Sequence, residues 1–494
     1  YQATLTQLAA PWAVPVALPK GALPGRGGID VSVQARLADN LDGVRDYMSR
    51  YPYTCIEQNL SRSIALGSRE QWDAWMGRLP AYLDGAGLLK YFASNALPGE
   101  DGLTAYVLTI ADARGWPIPE ASRALMLDGL TAFVRGQVQR DSALPTADLT
   151  VRKLAAIAAL ARHGRAEASM LDSLQLTPSQ WPTSAVLDWI DILARLTTLP
   201  NRATRIAQAR DVLRSRLTFN GTTMTFSTER NDALWWLMIS TDSNAARFLL
   251  TAVDDPQWRE DVPRLVRGLL GRQQRGHWNT TVANAWGTLA MERFSAKFES
   301  TPVTGKTGVV LGTTRRELSW PAAAAAREVS LPWPAERANL GVAHVGTGKP
   351  WALVKTNAAL PLVAPISSGL AVTRTVSAVE QKTAGRWTRG DVVRVMLQVD
   401  AQSDATWLVV DDPVPAGATI LGTGLGGQSR RQTQGERSSG AAWPAFEERR
   451  FDAFRAYYRF VPKGRITLEY TLRLDNPGTF QLPATRVEAM YAPE

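Results

Sequence analysis

One residue of this chain is suited above the others to nucleophilic chemistry: Cys55, the single cysteine among 494 residues. It lies in the stretch YPYTCIEQNLSR, with Glu57 and Gln58 shortly after it. A lone cysteine cannot form a disulfide within its own chain, whereas a thiolate is a strong nucleophile. Cys55 is therefore inert buried packing, a reactive nucleophile, or part of a less common kind of site.

Residues that commonly bind metals are too scattered to form a metal site. The three histidines, His163, His277 and His344, lie far apart and lack the spacing of zinc ligands. We therefore predict no metal and no cofactor.

The charge balance does not indicate a nucleic-acid partner. The chain has 55 Lys and Arg residues against 46 Asp and Glu residues, a formal net charge of +9, but the basic residues are spread along its length. The densest basic stretch, GGQSRRQTQGERSSG at 426–440, is a Gly/Ser/Gln-rich loop sequence without interleaved aromatic residues. No run of about 18 apolar residues occurs, so no membrane span is predicted.

Between about residues 35 and 298 the apolar residues recur with the helical period. In LTAYVLTIADARG (103–115), for example, Leu103, Tyr106 and Val107 fall on one stripe. Many of the joints between such segments carry Gly, Pro or Asp, so we predict a stacked or closed array of helical hairpins. The further segments are PEASRALMLDGLTAFVRGQV, RKLAAIAALARHG, SAVLDWIDILARL, RATRIAQARDVLRSRL, NDALWWLMIST, NAARFLLTAV, VPRLVRGLLGRQ and TVANAWGTLAMERFSAKF.

From about residue 303 onward the apolar period becomes two, which predicts strands. In RITLEYTLRLD, Ile466, Leu468 and Tyr470 alternate with polar residues, and the block 369–494 has the size of one β-sandwich. The opening 30 residues are short and proline-rich, so we expect them to pair with the strands of 303–365. The helical array would then be an insertion in a β-domain.

These residues carry a resemblance to a known family. Cys55, Glu57 and Gln58 match the Cys-x-Glu-Gln motif of thioester proteins, the alpha-2-macroglobulin and complement superfamily, and the context is similar to its bacterial branch. Two positions depart from the family pattern: Thr54 stands where glycine is usual and would restrict the backbone, and Val282 stands where glutamine is usual. The other matching segments are LTAYVL, HWNTTVANAWGTLAM, GLAVTR, GDVVRV, DDPVPAG and VEAMYAPE.

The resemblance implies a multidomain α and β fold, formed by the C-terminal portion of a longer protein. Residues 1–30 and 303–365 would form a CUB-like β-domain. An α/α toroid, the thioester domain, would occupy 31–302 as an insertion. A macroglobulin-type antiparallel β-sandwich would follow at 366–494, and further macroglobulin domains and a bait segment would precede the chain.

The motif also implies a specific reaction. A Cys55 thiolate attacks the γ-carboxamide of Gln58, expels ammonia and leaves a thioester, and residues three apart on a helical turn share a face, which lets the ring close. Glu57 would help to position the bond. Because water would hydrolyse it, the bond needs shielding, and the resemblance assigns this role to Tyr51 and Met490.

The function implied by the resemblance is a broad-spectrum protease-trapping inhibitor of the bacterial envelope, used in host defence. Such a protein is not an enzyme, because each molecule reacts once. Its implied cellular location is the periplasm, with an inner-membrane anchor at the N-terminus. Its implied partners are target proteases, the other macroglobulin domains, envelope proteins and a peptidoglycan synthase. Complement relatives use a histidine, but His163 has the sequence setting of a helix end, so direct attack by lysine is expected.

Two other functions remain open at the level of sequence. The first alternative is a macroglobulin-like scaffold that binds other proteins of the envelope and whose thioester is unformed or vestigial. The chain is also compatible with a toroid enzyme such as a terpene cyclase or a glycan lyase, which needs carboxylates facing a cavity. Its two Asp-Asp pairs, 254–255 and 411–412, each adjoin a proline in turn-like sequence, which disfavours the enzyme.

Overall fold

The computed structural model describes residues 1–220, 223–227, 234–321, 327–362, 364–422 and 432–491. The chain divides into two compact units, one of Tyr1–Ala93 with Pro98–Val363 and one of Ser94–Leu97 with Ala364–Glu494. Parts of three predicted segments lie outside the described residues: 426–431 of the basic stretch, 231–233 of NDALWWLMIST and 492–494 of VEAMYAPE.

The first unit opens with strands and continues with helices. Its first strands are β1 (Gln2–Gln7), β2 (Trp12–Val16) and β3 (Gly27–Gln34). The helices are α1 (Asp42–Arg50), α2 (Ile56–Leu66), α3 (Arg69–Met76), α4 (Asp101–Arg114), α5 (Glu120–Val134), α6 (Leu149–Arg162), α7 (Thr183–Arg195), α8 (Arg202–Ser215), α9 (Thr241–Asp254), α10 (Val262–Leu270) and α11 (Thr281–Phe298). Between α8 and α9 lies a hairpin of β4 (Leu217–Asn220) and β5 (Thr223–Phe226).

Local signals set the ends of these helices. Gly67 and Gly115 end α2 and α4 in the left-handed conformation, with φ of 64° and 72°. The side chains of Ser68, Ser240 and Thr280 accept hydrogen bonds from the first turns of α3, α9 and α11. Short 3-10 helices cover Leu37–Asn40, Leu79–Tyr82, Ala168–Leu171, Pro178–Gln180, Trp235–Leu237 and Pro256–Trp258.

Six of the helices contact one another in a closed cycle. The order is α2, α4, α6, α7, α9 and α11, and α11 packs back against α2. The remaining helices α1, α3, α5, α8 and α10 pack against members of this cycle. Small residues allow close approach: a Cβ on Gly287 of α11 would lie 2.3 Å from the ring of Trp278, which is fully buried. This cycle places the first turn of α2 beside α11.

The strands after α11 return to the opening strands. They are β6 (Gly305–Leu311), β7 (Thr314–Trp320), β8 (Glu328–Leu331), β9 (Ala338–Val345) and β10 (Trp351–Ala358). One antiparallel sheet has the order β1-β10-β3-β8 and the other β2-β9-β6-β7. Buried apolar residues of both sheets, among them Val31, Val309, Leu340 and Val354, share one core. The helices are therefore inserted between strands of a single β-sandwich.

One of the predicted helical segments is wrong. NDALWWLMIST was expected to form a helix, but residues 234–240 form a short turn closed by a bridge between Leu234 and Ile239, with Met238 at a φ of 61°. Helix α9 begins only after Ser240, whose side chain and that of Ser243 form a capping box. The apolar residues of this segment form a half-buried turn, in which Met238 is buried, instead of a helix face.

The second unit is a β-sandwich. Its strands are β11 (Leu370–Glu380), β12 (Val392–Ala401), β13 (Ala405–Pro413), β14 (Ala418–Ile420), β15 (Ser439–Gly440), β16 (Phe446–Arg449), β17 (Ala453–Val461), β18 (Gly464–Leu474) and β19 (Arg486–Ala489). One sheet has the order β11-β12-β18-β14, with β15 also paired to β18, and the other β16-β17-β13-β19. Alternate residues such as Val395, Leu397 and Leu468 point into a shared apolar core, as the period of two predicted.

Across the described ranges, no helix has the length and apolar character needed to cross a bilayer.

Candidate functional site

The residues before the motif form an extended segment, here called the strap, of residues 51–54. Tyr51 ends α1 with φ of −61° and ψ of 120°, as expected for a residue that precedes a proline, Pro52. Cys55 is the N-cap of α2, also with extended backbone (φ −63°, ψ 162°). Tyr51 and Cys55 therefore do not lie on one continuous helix, and α2 begins only after Cys55.

Cys55 and Gln58 contact each other in a capping box. The sulfur accepts from the backbone N–H of Gln58, and the carboxamide Oε1 of Gln58 accepts from the backbone N–H of Cys55 at 3.3 Å. Both side chains are fully buried. The carboxamide is therefore folded back over residue 55, with a donor on its carbonyl oxygen and little access for water.

Glu57 anchors the first turn of α2 to two other helices. Its Oε1 accepts from the hydroxyl of Ser61 at 2.6 Å and from the hydroxyl of Thr281 on α11 at 2.8 Å. Ser61 also pairs at 2.6 Å with the hydroxyl of Tyr106 on α4. Burial, and next the nearby Glu57, raise the pKa of Tyr106 well above its usual value, so this hydroxyl remains a neutral donor.

Asn59 and Thr54 fix the backbone at the motif. The side-chain amide of Asn59 donates to the carbonyls of Thr54 at 2.8 Å and Cys55 at 3.1 Å. The backbone of Thr54 does not adopt a positive φ. Threonine is therefore accommodated where the family usually has glycine, and no backbone strain follows from this departure.

A row of aromatic rings extends away from the strap. Tyr53 and Tyr51 pack edge to face with centroids 5.4 Å apart, and Tyr51 packs likewise on Tyr47 at 5.5 Å. Tyr47 in turn stacks on His277, with centroids 3.7 Å apart. Burial lowers the pKa of His277, whose Nδ1 lies 2.9 Å from the carbonyl of Trp278. The row makes this side of the motif largely apolar.

Arg62, on α2, binds the backbone of the strap. Its Nη2 donates to the carbonyl of Tyr51 and, at 3.5 Å, to the carbonyl of Tyr53. Arg62 follows Gln58 by four residues on α2, so the two side chains share a face of the helix.

Two residues considered from the sequence, His163 and Asp254, have structural partners. His163 caps the end of α6, where its Nε2 lies 3.2 Å from the carbonyl of Leu108. Asp254 pairs with Arg293 and Lys297, each at 2.9 Å. Within the residues that the structure describes, no group of three or more His, Cys, Asp or Glu side chains is arranged to hold a metal ion. Asp254 lines a cavity of about 600 Å³ together with Asp112, Asp191 and Glu292, and each of these four carboxylates is paired with an arginine.

Met490 belongs to the second unit, where it follows β19. It is buried, and its backbone N–H donates to the carbonyl of Trp407 at 3.0 Å. Trp407 has a φ of 48°, a left-handed conformation that residues with a side chain rarely adopt.

The network around the motif was only partly visible in the sequence. Ser61 lies four residues after Glu57, a spacing that puts their side chains in contact on a helix. Thr281 and Tyr106 occur in segments singled out above, HWNTTVANAWGTLAM and LTAYVL, but nothing in one sequence assigns their partner. Arg62 was missed because its ligands are backbone carbonyls, which leave no signal in side-chain types.

Comparisons with known proteins show what the chain is similar to. Residues 369–494 match the family model described as the bacterial alpha-2-macroglobulin MG10 domain. The chain is also 25% identical over 278 residues to an alpha-2-macroglobulin homolog from Nostoc sp., and 34% identical over 115 residues to alpha-2-macroglobulin from Escherichia coli. Residues 369–494 therefore belong to the MG10 domain family, and the chain is similar to bacterial alpha-2-macroglobulins. The two sequence matches cover 53% and 21% of this chain, but only 14% and 7% of the two relatives.

Solved structures share the fold. The crystal structure of native Escherichia coli alpha-2-macroglobulin from domain MG7 to the C-terminus aligns with 100% of this chain and 80% of that chain, at 20% identity and a TM-score of 0.72. Salmonella alpha-2-macroglobulin reacted with methylamine aligns with 100% of this chain and 32% of that one, at 21% identity and a TM-score of 0.71. The predicted multidomain α and β fold with antiparallel sheets is confirmed at this level.

Proposed function

We propose that this chain is the C-terminal portion of a macroglobulin that captures proteases covalently through a thioester between Cys55 and Gln58. The observation that supports this proposal is the buried capping box, in which each residue hydrogen-bonds the other and the Gln58 carboxamide is folded back over Cys55. A buried thiol that only fills space would not need a carboxamide held in this position.

The bond would form in one acyl transfer. The Cys55 sulfur attacks the Gln58 carboxamide carbon, the carbon–nitrogen bond breaks, and the thiol proton leaves with the nitrogen as ammonia. The position of Cys55 at the N-terminus of α2 favours its thiolate, and the Cys55 N–H on the Gln58 oxygen favours the developing negative charge there. The Glu57 network holds this turn in register with α4 and α11.

Capture would be a second acyl transfer. A lysine amine of a bound protease attacks the Gln58 acyl carbon, an amide forms as the carbon–sulfur bond breaks, and the sulfur leaves as a thiolate that takes up the amine proton to give the Cys55 thiol. Each molecule reacts once, so the protein is an inhibitor and not an enzyme. Direct attack by lysine is the expected chemistry, since His163 is engaged with the Leu108 carbonyl at the end of α6 and His277 with the Trp278 carbonyl.

Shielding from water is the second requirement. Cys55, Glu57 and Gln58 are fully buried, and Tyr51 lies in the aromatic row beside them. We assign Tyr51 the shielding role that the resemblance implies. The same role for Met490 stays a proposal that rests on the family pattern.

The domain assignment belongs to the same proposal. The closed cycle of helices supports an α/α toroid at 31–302, and the pairing of β1 and β3 with β10 supports a CUB-like domain of 1–30 with 303–365. The sandwich at 366–494 would be the macroglobulin domain that closes the chain. We also propose a periplasmic location in the bacterial envelope, with preceding macroglobulin domains and target proteases as partners.

Intact mass spectrometry of the native protein tests the proposal. A formed thioester lowers the mass by one ammonia relative to the sequence, and methylamine then adds at Gln58 while a titratable thiol appears. Cys55→Ser and Gln58→Ala should both abolish the mass loss and the methylamine adduct. Gln71→Ala, on the exposed face of α3, is the matched glutamine control and should leave both unchanged.

A mass equal to the plain sequence, with a titratable thiol before any amine is added, would reject the thioester. That result would favour the interaction-scaffold alternative, since the fold would persist without the reactive bond.

A further inference from the structure

Arg62 lies on α2, on the same stripe as the motif residues Cys55 and Gln58. Residues 55, 58 and 62 form one stripe along α2, and the guanidinium Nη2 donates to the carbonyls of Tyr51 and Tyr53. These two bonds fix the strap against α2 immediately before Cys55. The geometry therefore places a positive charge against the strap, on the face of α2 that carries Cys55 and Gln58.

The charge of Arg62 is not neutralised by a carboxylate. Among the residues that the structure describes, no ion pair involves Arg62, and its Nε is buried without a hydrogen-bond partner. Other partly buried arginines of the helical region do have carboxylate partners: Arg114 pairs with Glu292, and Arg162 pairs with Asp112 and Asp191. A half-buried guanidinium with only carbonyl ligands is costly unless a negative charge develops nearby.

The ionisable groups that interact with this guanidinium point to where that negative charge develops. Burial lowers the pKa of Arg62, while the Tyr51 hydroxyl and the Cys55 thiol, when ionised, would raise it. A tyrosine hydroxyl ordinarily ionises near pH 10 and a cysteine thiol at lower pH, so the anion that would form first is the Cys55 thiolate. Arginine itself keeps its charge throughout.

We propose that Arg62 is a positioning residue for the thioester, holding the strap in place and stabilising negative charge on the Cys55 sulfur. The inference rests on the proposed function. In bond formation the sulfur attacks as a thiolate, and in capture it leaves as one, so the same cation favours both transfers. Arg62 touches neither the amine nor the acyl carbon in this scheme and acts through Cys55 and the strap.

Other titratable or charged groups lie on the elements packed around the motif, and substitution of Arg62 leaves these residues in place. Since the chain has one cysteine, any thiol titration reports Cys55 alone. The groups on the neighbouring elements are Glu57 on α2, Tyr47 on α1, Tyr51 and Tyr53 of the strap, Tyr106 on α4, His277, and Lys90 and Tyr91 of the loop whose Tyr91 carbonyl binds the Ile56 N–H.

The test is the pH profile of Cys55 alkylation by iodoacetamide in methylamine-treated protein. Arg62→Gln should raise the thiol pKa by about one unit and slow alkylation at pH 7 about tenfold, because an opposite charge near a thiolate lowers its pKa by roughly that much. Arg62→Lys should keep the thiol pKa within about half a unit of wild type, because it retains the charge. Arg69→Gln, which removes an exposed arginine paired with Asp73, is the matched control and should not shift it.

An unchanged thiol pKa in folded Arg62→Gln would overturn the proposal. If Arg62→Gln does not fold, Arg62→Lys decides: a thiol pKa near that of wild type supports the charge role, and a rise of about one unit overturns it. Failure of the thioester itself is seen separately, as a native mass equal to the plain sequence. The alkylation profile can then be measured on untreated protein and still tests Arg62.

Discussion

At the scale of residues, the site depends on short contacts between side chains of different helices. Glu57 is fully buried, and its carboxylate accepts hydroxyl donors from Ser61 and from Thr281. A buried carboxylate is tolerated only when such donors compensate for lost hydration. The hydroxyl of Thr281 therefore stabilises both the fold and the orientation of the motif.

Replacing Thr281 by valine should lower the free energy of unfolding by about 1–3 kcal/mol, because the Glu57 carboxylate loses a donor inside the protein. Thr281→Ser keeps the hydroxyl and should cost less than half as much. Urea denaturation followed by circular dichroism measures both changes.

Thr288→Val is the matched control on the same helix, α11. The hydroxyl of Thr288 is buried and has no hydrogen-bond partner within the described ranges. The substitution should therefore leave stability unchanged or raise it. Equal losses for Thr281→Val and Thr288→Val would contradict the role given to the Glu57 network.

At the scale of elements, the reactive turn is the junction of an extended strap with a helix. Pro52 keeps Tyr51 extended, Cys55 begins α2 as its N-cap, and the Asn59 amide ties the carbonyls of Thr54 and Cys55 to the helix. The junction is determined by hydrogen bonds to backbone groups and does not require a glycine.

Thr54→Gly should therefore not increase the fraction of molecules that have lost ammonia. It should lower the free energy of unfolding by up to about 1 kcal/mol, since glycine increases the entropy of the unfolded chain at a site that needs no positive φ. Thr54→Ala is the control without the added backbone freedom. A larger thioester fraction in Thr54→Gly, measured by intact mass, would mean that threonine does restrict the motif.

At the scale of the whole molecule, several tyrosines couple stability to alkaline pH. Burial raises the pKa of Tyr106 in the first unit, and burial followed by nearby carboxylates raises the pKa of Tyr458 and Tyr470 in the second. A raised pKa in the folded state means that the unfolded chain releases the proton first, at about pH 10. Stability is thus fully present below pH 10 and falls as pH rises.

Above about pH 10, each of these tyrosines should lower the free energy of unfolding by about 1.4 kcal/mol for each further pH unit. Scanning calorimetry from pH 8 to about pH 11 should show unfolding midpoints that fall as the pH rises.

Tyr458→Phe should reduce the slope of the unfolding midpoint against pH without a loss of stability at pH 8, because the Tyr458 hydroxyl is buried and lacks a partner in the described part of the chain. Tyr470→Phe should also lose stability at pH 8, because Tyr470 donates to the buried Asp412 at 2.6 Å. Identical slopes in wild type and Tyr458→Phe would contradict this assignment.

The sequence by itself determined the local features. The spacing of Cys55 and Gln58, the break at Pro52 and the change from a helical period to a period of two near residue 300 all act over a few residues, where backbone geometry follows from residue type. These signals also predicted the family and the mixed fold, but they misjudged NDALWWLMIST, where packing overrode an apolar pattern.

Only the tertiary structure decided the partners that are distant in the chain. Thr281 binds Glu57 across 224 residues, Arg62 binds carbonyls that carry no side-chain signal, and β3 pairs with β10 although the whole helical region lies between them. Periodicity states which face of an element is buried, but not which other element covers it. That choice depends on how the entire chain closes on itself, and so it is fixed only when the helices and sheets pack together.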